Sequence, residues 1–447
     1  MPPIQSPQPL LPLPEDEDWR ALRDPSRRTS ALDAIKYVPL GANGDAYLSV
    51  GGELRTFYQS FANESFGQIS GADNYILQRY LLHFNVHPSA RSRVFVDLES
   101  ALIGGRRGGP RPTVDRDDAD VHAAFFDLDL GPRNLAKPSV DFRIDRQEFD
   151  YGSGRLVSTR ESPNGDGPNV LQAFDALRVI LRHTSWRIDA FDGRPVVLNV
   201  GPFDNGTDSK QAIWGIYATS GLPGSPKPEV DLYYTGLDRD KATFDKGSAR
   251  ERRHSLGVRA FRTRTALDYD LEATYQFGSF GSAPLHAYSV ATDTGYTFEK
   301  AAVQPRIGIL TGFASGDRDR LSNALTTFYS PFPRGVYFGE LPALGPSNVF
   351  GFKPNLTVAP TKSVTLSSGA FFFWRQRLGD GIYALSGLPI RTGAKSSARY
   401  IGTQPELVAS WTVDRHVFVN ASYSRFLSGH FCTKRLPDPT SAILRRG

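Results

Sequence analysis

Leu267-Asp-Tyr-Asp-Leu-Glu-Ala-Thr-Tyr-Gln-Phe277 sets Leu267, Tyr269, Leu271, Ala273, Tyr275 and Phe277 on one face. Asp268, Asp270, Glu272, Thr274 and Gln276 fall on the other. Successive side chains of an extended chain point to opposite faces, so this strict period of two reads as a strand with one apolar and one polar face. In a small soluble sandwich the polar face looks out to water. In a membrane barrel the apolar face meets lipid and the acids line an aqueous lumen.

The pattern recurs along the chain. Tyr80, Leu82, Phe84 and Val86 oppose Arg79, His83 and Asn85. Val94, Val96 and Leu98 oppose Arg93, Asp97 and Glu99, and Val364, Leu366, Ala370, Phe372 and Trp374 oppose Ser363, Thr365 and Ser367. Such stretches begin near positions 46, 76, 92, 118, 138, 173, 185, 211, 228, 252, 266, 284, 303, 348, 363, 402 and 415. Each is about ten residues long, the length of a tilted strand that crosses an outer membrane.

Connections after even-numbered stretches are mostly short, as in His87–Ala90, His183–Thr184, Arg262–Thr265, Ala359–Lys362 and Thr412–Arg415. Those after odd-numbered stretches are mostly long, as in Gly104–Asp118, Asp150–Gln172, Arg194–Lys210, Ala314–Ser347 and Gln376–Tyr400. Bacterial barrels keep this alternation because their periplasmic turns are short and their outer loops long. A soluble sandwich has no reason to sustain it. The expected fold is therefore all-β: a transmembrane antiparallel barrel. Closure needs an even number of strands, so about eighteen are expected. The alternation stops after Phe431, and Cys432–Gly447 reads as a basic, Pro-containing tail with no terminal aromatic. The last strand is accordingly expected to be missing or altered.

Composition agrees with this class. Aromatics make up 12% of the 447 residues while the mean hydropathy is only −0.34. Alternating strands produce that pairing, since lumen-facing polar residues mask the lipid-facing ones in any average. No run approaches the ~20 apolar residues of a spanning helix. The single cysteine, Cys432, excludes an intramolecular disulfide. The 52 basic residues include only eleven lysines, so the basic side chain of this protein is arginine, whose planar fork binds carboxylates. The competing reading of that bias is GC-rich coding. Pro2–Asp18 is Pro-rich and acidic, without the basic and apolar regions of a secretory signal. An outer-membrane protein needs such a signal, so one is expected to be missing from this sequence. The expected division is an N-terminal segment 1–44, a barrel 45–431 and an atypical tail 432–447.

Several passages resemble the alginate-export family of outer-membrane proteins. They include Leu22-Arg-Asp-Pro25, Ala46-Tyr-Leu-Ser-Val-Gly-Gly-Glu-Leu-Arg55 and Leu77-Gln-Arg-Tyr80. Most recognisable is Arg146-Gln-Glu-Phe-Asp-Tyr-Gly-Ser-Gly-Arg-Leu156, followed by Pro168-Asn169 and Phe174-Asp175. Later come Gln276-Phe-Gly278, Ser315-Gly-Asp-Arg318, Trp374-Arg375, Asp380-Gly-Ile-Tyr383, Arg399-Tyr-Ile-Gly-Thr403 and Tyr423-Ser-Arg-Phe426. Each piece is weak alone, but their order and spacing from about residue 20 to Phe431 make the set specific. The resemblance implies an eighteen-stranded monomeric barrel that lets an anionic polysaccharide cross the outer membrane. It also implies a constriction lined by basic side chains with a few acids. The family's final aromatic-ended strand has no counterpart here, and cargo varies among its members.

The candidate pore-lining and substrate-binding residues are Arg143, Arg146, Glu148, Asp150, Arg155, Arg178, Arg259, Glu272, Arg306 and Arg375. Arg178 and Arg182 share a strand face, as do Arg253 and Arg259, with His254 opposite. A ring of arginines would select carboxylate cargo; the alternative is that each is solvated or paired with a neighbouring acid. Arg146 and Glu148 share parity with Val140, Phe142 and Ile144, which would turn them to lipid at ~2–4 kcal/mol for a mid-plane arginine. A bulge near Asp145 would bring them inward; a structural pair at the rim is equally open. Arg155, Arg160 and Asp166 lie in a long Gly/Pro/Ser/Asn-rich loop, which either gates the lumen or stays an ordinary outer loop.

Other classes find little support. Asp115–Asp118 and Asp317–Asp319 look like metal sites but fall in expected loops, and the eight histidines show no ligand spacing. Nucleophile-elbow, zincin and phosphate-loop motifs are absent. Arg106-Arg107 to Arg111 lacks the aromatics of a nucleic-acid platform. The expected protein is thus a channel rather than an enzyme, without cofactor or metal and without nucleic acid. Its expected partners are outer-membrane lipid, an anionic poly- or oligosaccharide and periplasmic export components. The rivals are a general or sugar-specific porin, a soluble carbohydrate-binding β-protein and a barrel-embedded enzyme.

Overall fold

The computed structural model describes residues 10–11, 13–41, 45–67, 69–111, 113–131, 138–159, 168–221, 229–263, 265–433 and 441–446. Twenty strands join in one antiparallel sheet, two of which, Val38–Pro39 and Gly206–Thr207, are two-residue additions. The remaining eighteen form the barrel. They are β1 (Tyr47–Asn63), β2 (Ile69–Ser89), β3 (Ser92–Gly104), β4 (Asp117–Asp129), β5 (Ser139–Gln147) and β6 (Phe174–His183). Next are β7 (Trp186–Val197), β8 (Gln211–Ser220), β9 (Glu229–Phe244), β10 (Gly247–Arg262), β11 (Leu267–Phe280) and β12 (Ala283–Thr297). The last six are β13 (Arg306–Ala314), β14 (Val349–Val358), β15 (Val364–Arg375), β16 (Tyr400–Thr412), β17 (Phe418–Ser428) and β18 (Ser441–Arg446). Each pairs with its sequence neighbours, and the seventeen expected stretches all correspond to strands of this series.

The barrel closes. Backbone residues of β18 pair with β17, from Phe426↔Ser441 to Ala421↔Arg446, and with β1, from Ala62↔Ala442 to Tyr58↔Arg446. Of the two expectations for the last strand, missing or altered, the structure shows the second: the eighteenth strand is present in altered form. Ser441-Ala-Ile-Leu-Arg-Arg446 is six residues long and lacks the alternation of its neighbours. Two flanking edges whose N–H and C=O groups need partners impose its extended form, which its own side-chain pattern does not announce.

β11 shows how sequence fixes facing. Leu267 and Leu271 are 52% and 44% exposed on the outer surface, whereas Asp268 and Asp270 bond Arg306 and Arg259 inside. Neighbouring strands add Leu232, Leu256, Val258, Val290, Ile307, Ile309 and Leu356 to the outer apolar band. Aromatics rim that band at both ends, as in transmembrane barrels. Tyr275, Tyr288, Phe350 and Trp374 lie toward the long loops, and Tyr296, Phe298, Trp411 and Phe418 toward the short turns. Among the described residues no helix is long and apolar enough to cross a membrane.

The described parts of three long connections, 148–159 with 168–173, 315–348 and 376–399, fold into the barrel rather than away from it. Phe149, Tyr151, Leu156, Phe328, Phe338 and Leu341 from the loops pack on Phe174, Phe191, Phe371 and Phe373 of the wall. Each such side chain removed from water contributes about 1.5–3 kcal/mol, which offsets the cost of ordering long loops. The first two connections are also stitched together, Ser158 donating its N–H to the Phe332 carbonyl at 2.7 Å and Phe332 to the Leu156 carbonyl at 3.1 Å.

Candidate functional site in the barrel lumen

The inner wall is lined by guanidinium–carboxylate pairs, beginning at the short-turn end. Arg143 lies 2% exposed on β5, donating to Asp127 of β4 at 2.9 and 3.1 Å and stacking 3.9 Å over Phe125. Arg93 of β3 bonds the same Asp127. Arg182 bonds Asp141, and Arg187 and Arg178 both converge on Asp189 of β7. The side chains of Arg182 and Arg187 stay 39% and 32% exposed, so part of each fork remains wet.

An N-terminal stretch, residues 13–41, covers this end of the wall. Trp19, Leu22 and Tyr37 pack with Tyr47 of β1, and Tyr37 stacks on Tyr47 at 4.8 Å. Asp33 accepts from the N–H groups of Thr29 and Ser30 and from Arg415 of the β16–β17 turn at 2.6 Å. At the opposite end of the stretch, Glu15 is buried and accepts from Arg143 Nη1 at 3.2 Å, while its carbonyl accepts from Arg93. Asp16, beside it, is exposed. Desolvation pushes its pKa up, but the field of Arg143, Arg187, Arg182 and Arg178 prevails and holds it below the usual carboxylate range.

Further along the lumen, the 148–173 loop meets the wall. Arg155 donates to Asp270 and Glu272 of β11 at 2.9 Å each. Burial acts to lower its pKa, and the two carboxylates override that and raise it. Arg259 of β10 bonds Asp231 of β9 at 2.9 Å and Asp270 at 2.7 Å. Glu272 also accepts from Tyr233 at 2.7 Å and Ser153 at 3.0 Å. Tyr151 stacks on Tyr217 at 4.8 Å, and burial pushes its phenol up. Arg306 of β13 is bound by Asp268 and by Asp293, the latter at 3.1 Å, and keeps 22% exposure.

Two expected residues sit inside without reaching open lumen. Glu148 is 2% exposed and bonds His122 at 2.8 Å. Arg375 is fully buried, donating to the carbonyls of Leu378, Asp380, Ser396 and Ala398. It clamps the 376–399 loop. Asp150 pairs with Arg334 of the 315–348 loop at 3.0 Å, and Arg160 and Asp166 lie outside the described residues.

Arg146 departs from the inward expectation. It stands opposite Asp175 on the outward parity of β6, beside the exposed Leu177, and donates to that carboxylate at 2.9 Å. Asp145 does adopt a left-handed backbone, φ +91°. The ladder nevertheless continues unshifted through Ile144↔Leu177 and Arg146↔Asp175, so parity does not reverse. The connection after β7 removes the penalty instead: Asn205 offers its carbonyl to Arg146 at 3.4 Å, and Thr207 donates to Asp175 at 2.5 Å. The pair is thereby capped by protein rather than turned bare to lipid.

The partner carboxylates Asp127, Asp189 and Asp231 and the guanidinium of Arg187 escaped the sequence reading, in which Arg93 stands on a polar face but not among the candidates. A usable signal was the opposite-charge pair two residues apart on one strand face, Arg187-x-Asp189 and Glu251-x-Arg253, both of which form ion pairs. The acidic clusters are likewise engaged. Asp115 pairs with Arg111 at 2.6 Å, and Asp317 accepts from Thr326 N–H at 2.6 Å.

Solved structures with the same fold are outer-membrane proteins. OccAB1 of Acinetobacter baumannii is 10% identical, with a TM-score of 0.56 over 93% of this chain and 98% of its own. OpdK of Pseudomonas aeruginosa, solved with vanillate, is 11% identical, with a TM-score of 0.56 over 92% and 99%. OccK11 (OpdR) of the same organism is 12% identical, with a TM-score of 0.53 over 92% and 96%. No curated protein matches the chain. The alginate export family matches residues 46–441, nearly the whole barrel. The chain therefore belongs to the alginate export family, as a β-barrel channel of the bacterial outer membrane.

Proposed function

We propose that the channel carries an anionic poly- or oligosaccharide, alginate-like in its carboxylates, through an arginine-rich lumen. One observation carries this reading: wall arginines such as Arg182, Arg187 and Arg306 are each fixed by a carboxylate yet keep part of the fork wet. Guanidiniums so held offer spare N–H donors to a passing carboxylate without reorganising. The channel works as a monomer in outer-membrane lipid, passing cargo down its gradient from periplasmic export components.

Planar-bilayer reversal potentials under a KCl gradient test the reading. The unmodified channel should prefer chloride, and replacing Arg182, Arg187 and Arg306 together with Ser should reduce that preference. Preference for potassium in the unmodified channel would sink it. A narrower reading, small monomeric carboxylates, is favoured by the inward packing of loop side chains, Phe338 lying against Phe371 and Phe373. Block by oligouronates but not by monomers would decide for the longer cargo.

A further inference from the structure

At the short-turn end, Arg93, Arg143, Arg178, Arg182 and Arg187 contact three wall carboxylates, Asp127, Asp141 and Asp189. Five guanidiniums thus share three carboxylates, Asp127 and Asp189 each holding two. The acidic run Glu15-Asp-Glu-Asp18 brings further carboxylates to this end. Glu15 reaches Arg143 through its carboxylate at 3.2 Å and Arg93 through its carbonyl. Asp16, next to it in the same turn, is exposed, and the field of Arg143, Arg187, Arg182 and Arg178 acts on its carboxyl. Glu17 takes no part, being turned back onto the Trp19 indole at 2.9 Å and Lys36 at 3.5 Å.

The stretch that carries these acids is held by contacts elsewhere. Asp33 ties it to Arg415 beside β16 and β17, and Tyr37 ties it to Tyr47 of β1. It thus runs along the short-turn mouth from the β16–β17 turn to the arginine wall on β3–β7. Within this length Glu15 puts its carboxylate on that wall, and Asp16 follows it directly. Glu15 and Asp16 are consecutive in the Pro14–Asp16 3-10 turn and bring two carboxylates to this end, the charged group that a stretch of polyuronate repeats.

We propose that this arginine wall is a carboxylate-binding subsite for polyuronate at the short-turn mouth, and that Glu15 and Asp16 occupy it as a built-in competitor. The subsite rests on the anionic-cargo reading above. An occupied site binds an outside ligand with apparent affinity reduced by the fraction of molecules in which it is vacant. Polyuronate entering from the short-turn side must displace Glu15 and Asp16, so the segment sets a threshold for cargo.

The test uses the full chain in planar bilayers, with a short unbranched oligogalacturonate added on the short-turn side as blocker. Glu15→Gln with Asp16→Asn removes both charges and keeps the shapes. Its half-blocking concentration should fall roughly tenfold, equivalent to about 1.4 kcal/mol. Asp16→Asn alone, at an exposed side chain that cannot unsettle the fold, should shift it partway in the same direction. Asp24→Asn, whose carboxyl meets only Ser26 and Arg27 among the contacts seen, should behave as the parent. An unchanged or higher half-blocking concentration in both charge variants, or an equal shift in Asp24→Asn, would overturn the competitor. Potassium preference and absence of block in the parent would overturn the cargo reading, and the subsite with it. A chloride-preferring, blockable parent with no difference between variants overturns the competitor alone.

Discussion

Placing an arginine on the outer face of β11 separates a membrane barrel from a soluble one by energy rather than by appearance. Leu267 stands at the short-turn end of the strand and Leu271 four residues further along the same face. At a rise of about 3.3 Å per residue and a tilt of about 40°, Leu271 lies roughly 10 Å deeper. The apolar band of such barrels is about 25 Å tall, so Leu271 sits near its middle and Leu267 near its edge. Leu271→Arg should therefore cost about 2–4 kcal/mol, and Leu267→Arg about 0–1 kcal/mol. Urea unfolding in lipid vesicles, followed by tryptophan fluorescence and extrapolated linearly, measures both. On a soluble surface the two would be alike, each within about 0.5 kcal/mol. Equal costs at the two depths, or less than about 1 kcal/mol at Leu271, would refute the assignment of this face to lipid.

Arg259→Met removes the cation that Asp231 and Asp270 share, leaving Asp231 buried with Tyr217 as its side-chain donor among the described residues, at 2.6 Å. The same urea titration should show a loss of about 3 kcal/mol, the order expected when one partner of a buried ion pair is deleted. Docking of residues 13–41 should depend on pH through Asp33. Desolvation raises the pKa of that carboxyl, but the Thr29 and Ser30 N–H groups and Arg415 hold it below the usual value. A depressed carboxylate stabilises the docked state above its unfolded pKa of about 4 and loses that stabilisation as pH falls through the folded value. Limited proteolysis should cut 13–41 faster at about pH 3 than at pH 6, and Asp33→Asn should be cut quickly at both; protection of the variant at pH 6 would refute the link.

Alternation made the strands and their facing legible, because each strand must satisfy lipid on one side and water on the other. The eleven residues from Leu267 state that demand outright. β18 was not legible. Ser441–Arg446 lacks the pattern, and only the two open edges of β1 and β17 dictate its form. Arg146 was misread for a related reason. Whether an outward arginine is costly depends on what covers it, and its cover, Asn205 and Thr207, lies about sixty residues away. Inward candidates such as Arg143, Arg178 and Arg259 follow from parity alone. Their partners do not, since Arg155 meets Glu272 across 117 residues of sequence.

The pairing of nearly every lumen arginine bears on how a polyanion could move. Bare guanidiniums in a ring would bind a chain of carboxylates tightly at many points at once and hold it. Conduction needs binding strong enough to admit cargo yet weak and repeated enough to release it. A carboxylate already fixed to each arginine lowers the local field and leaves only the outer donors of the fork. Asp189, bonding both Arg178 and Arg187, and Asp270, bonding both Arg155 and Arg259, do this for two cations each. The same pairs fix guanidinium positions before cargo arrives, so contact costs little ordering. On the proposed anionic cargo, the acids of the wall would be part of the transport surface, trading affinity for passage while keeping the sign of the selection.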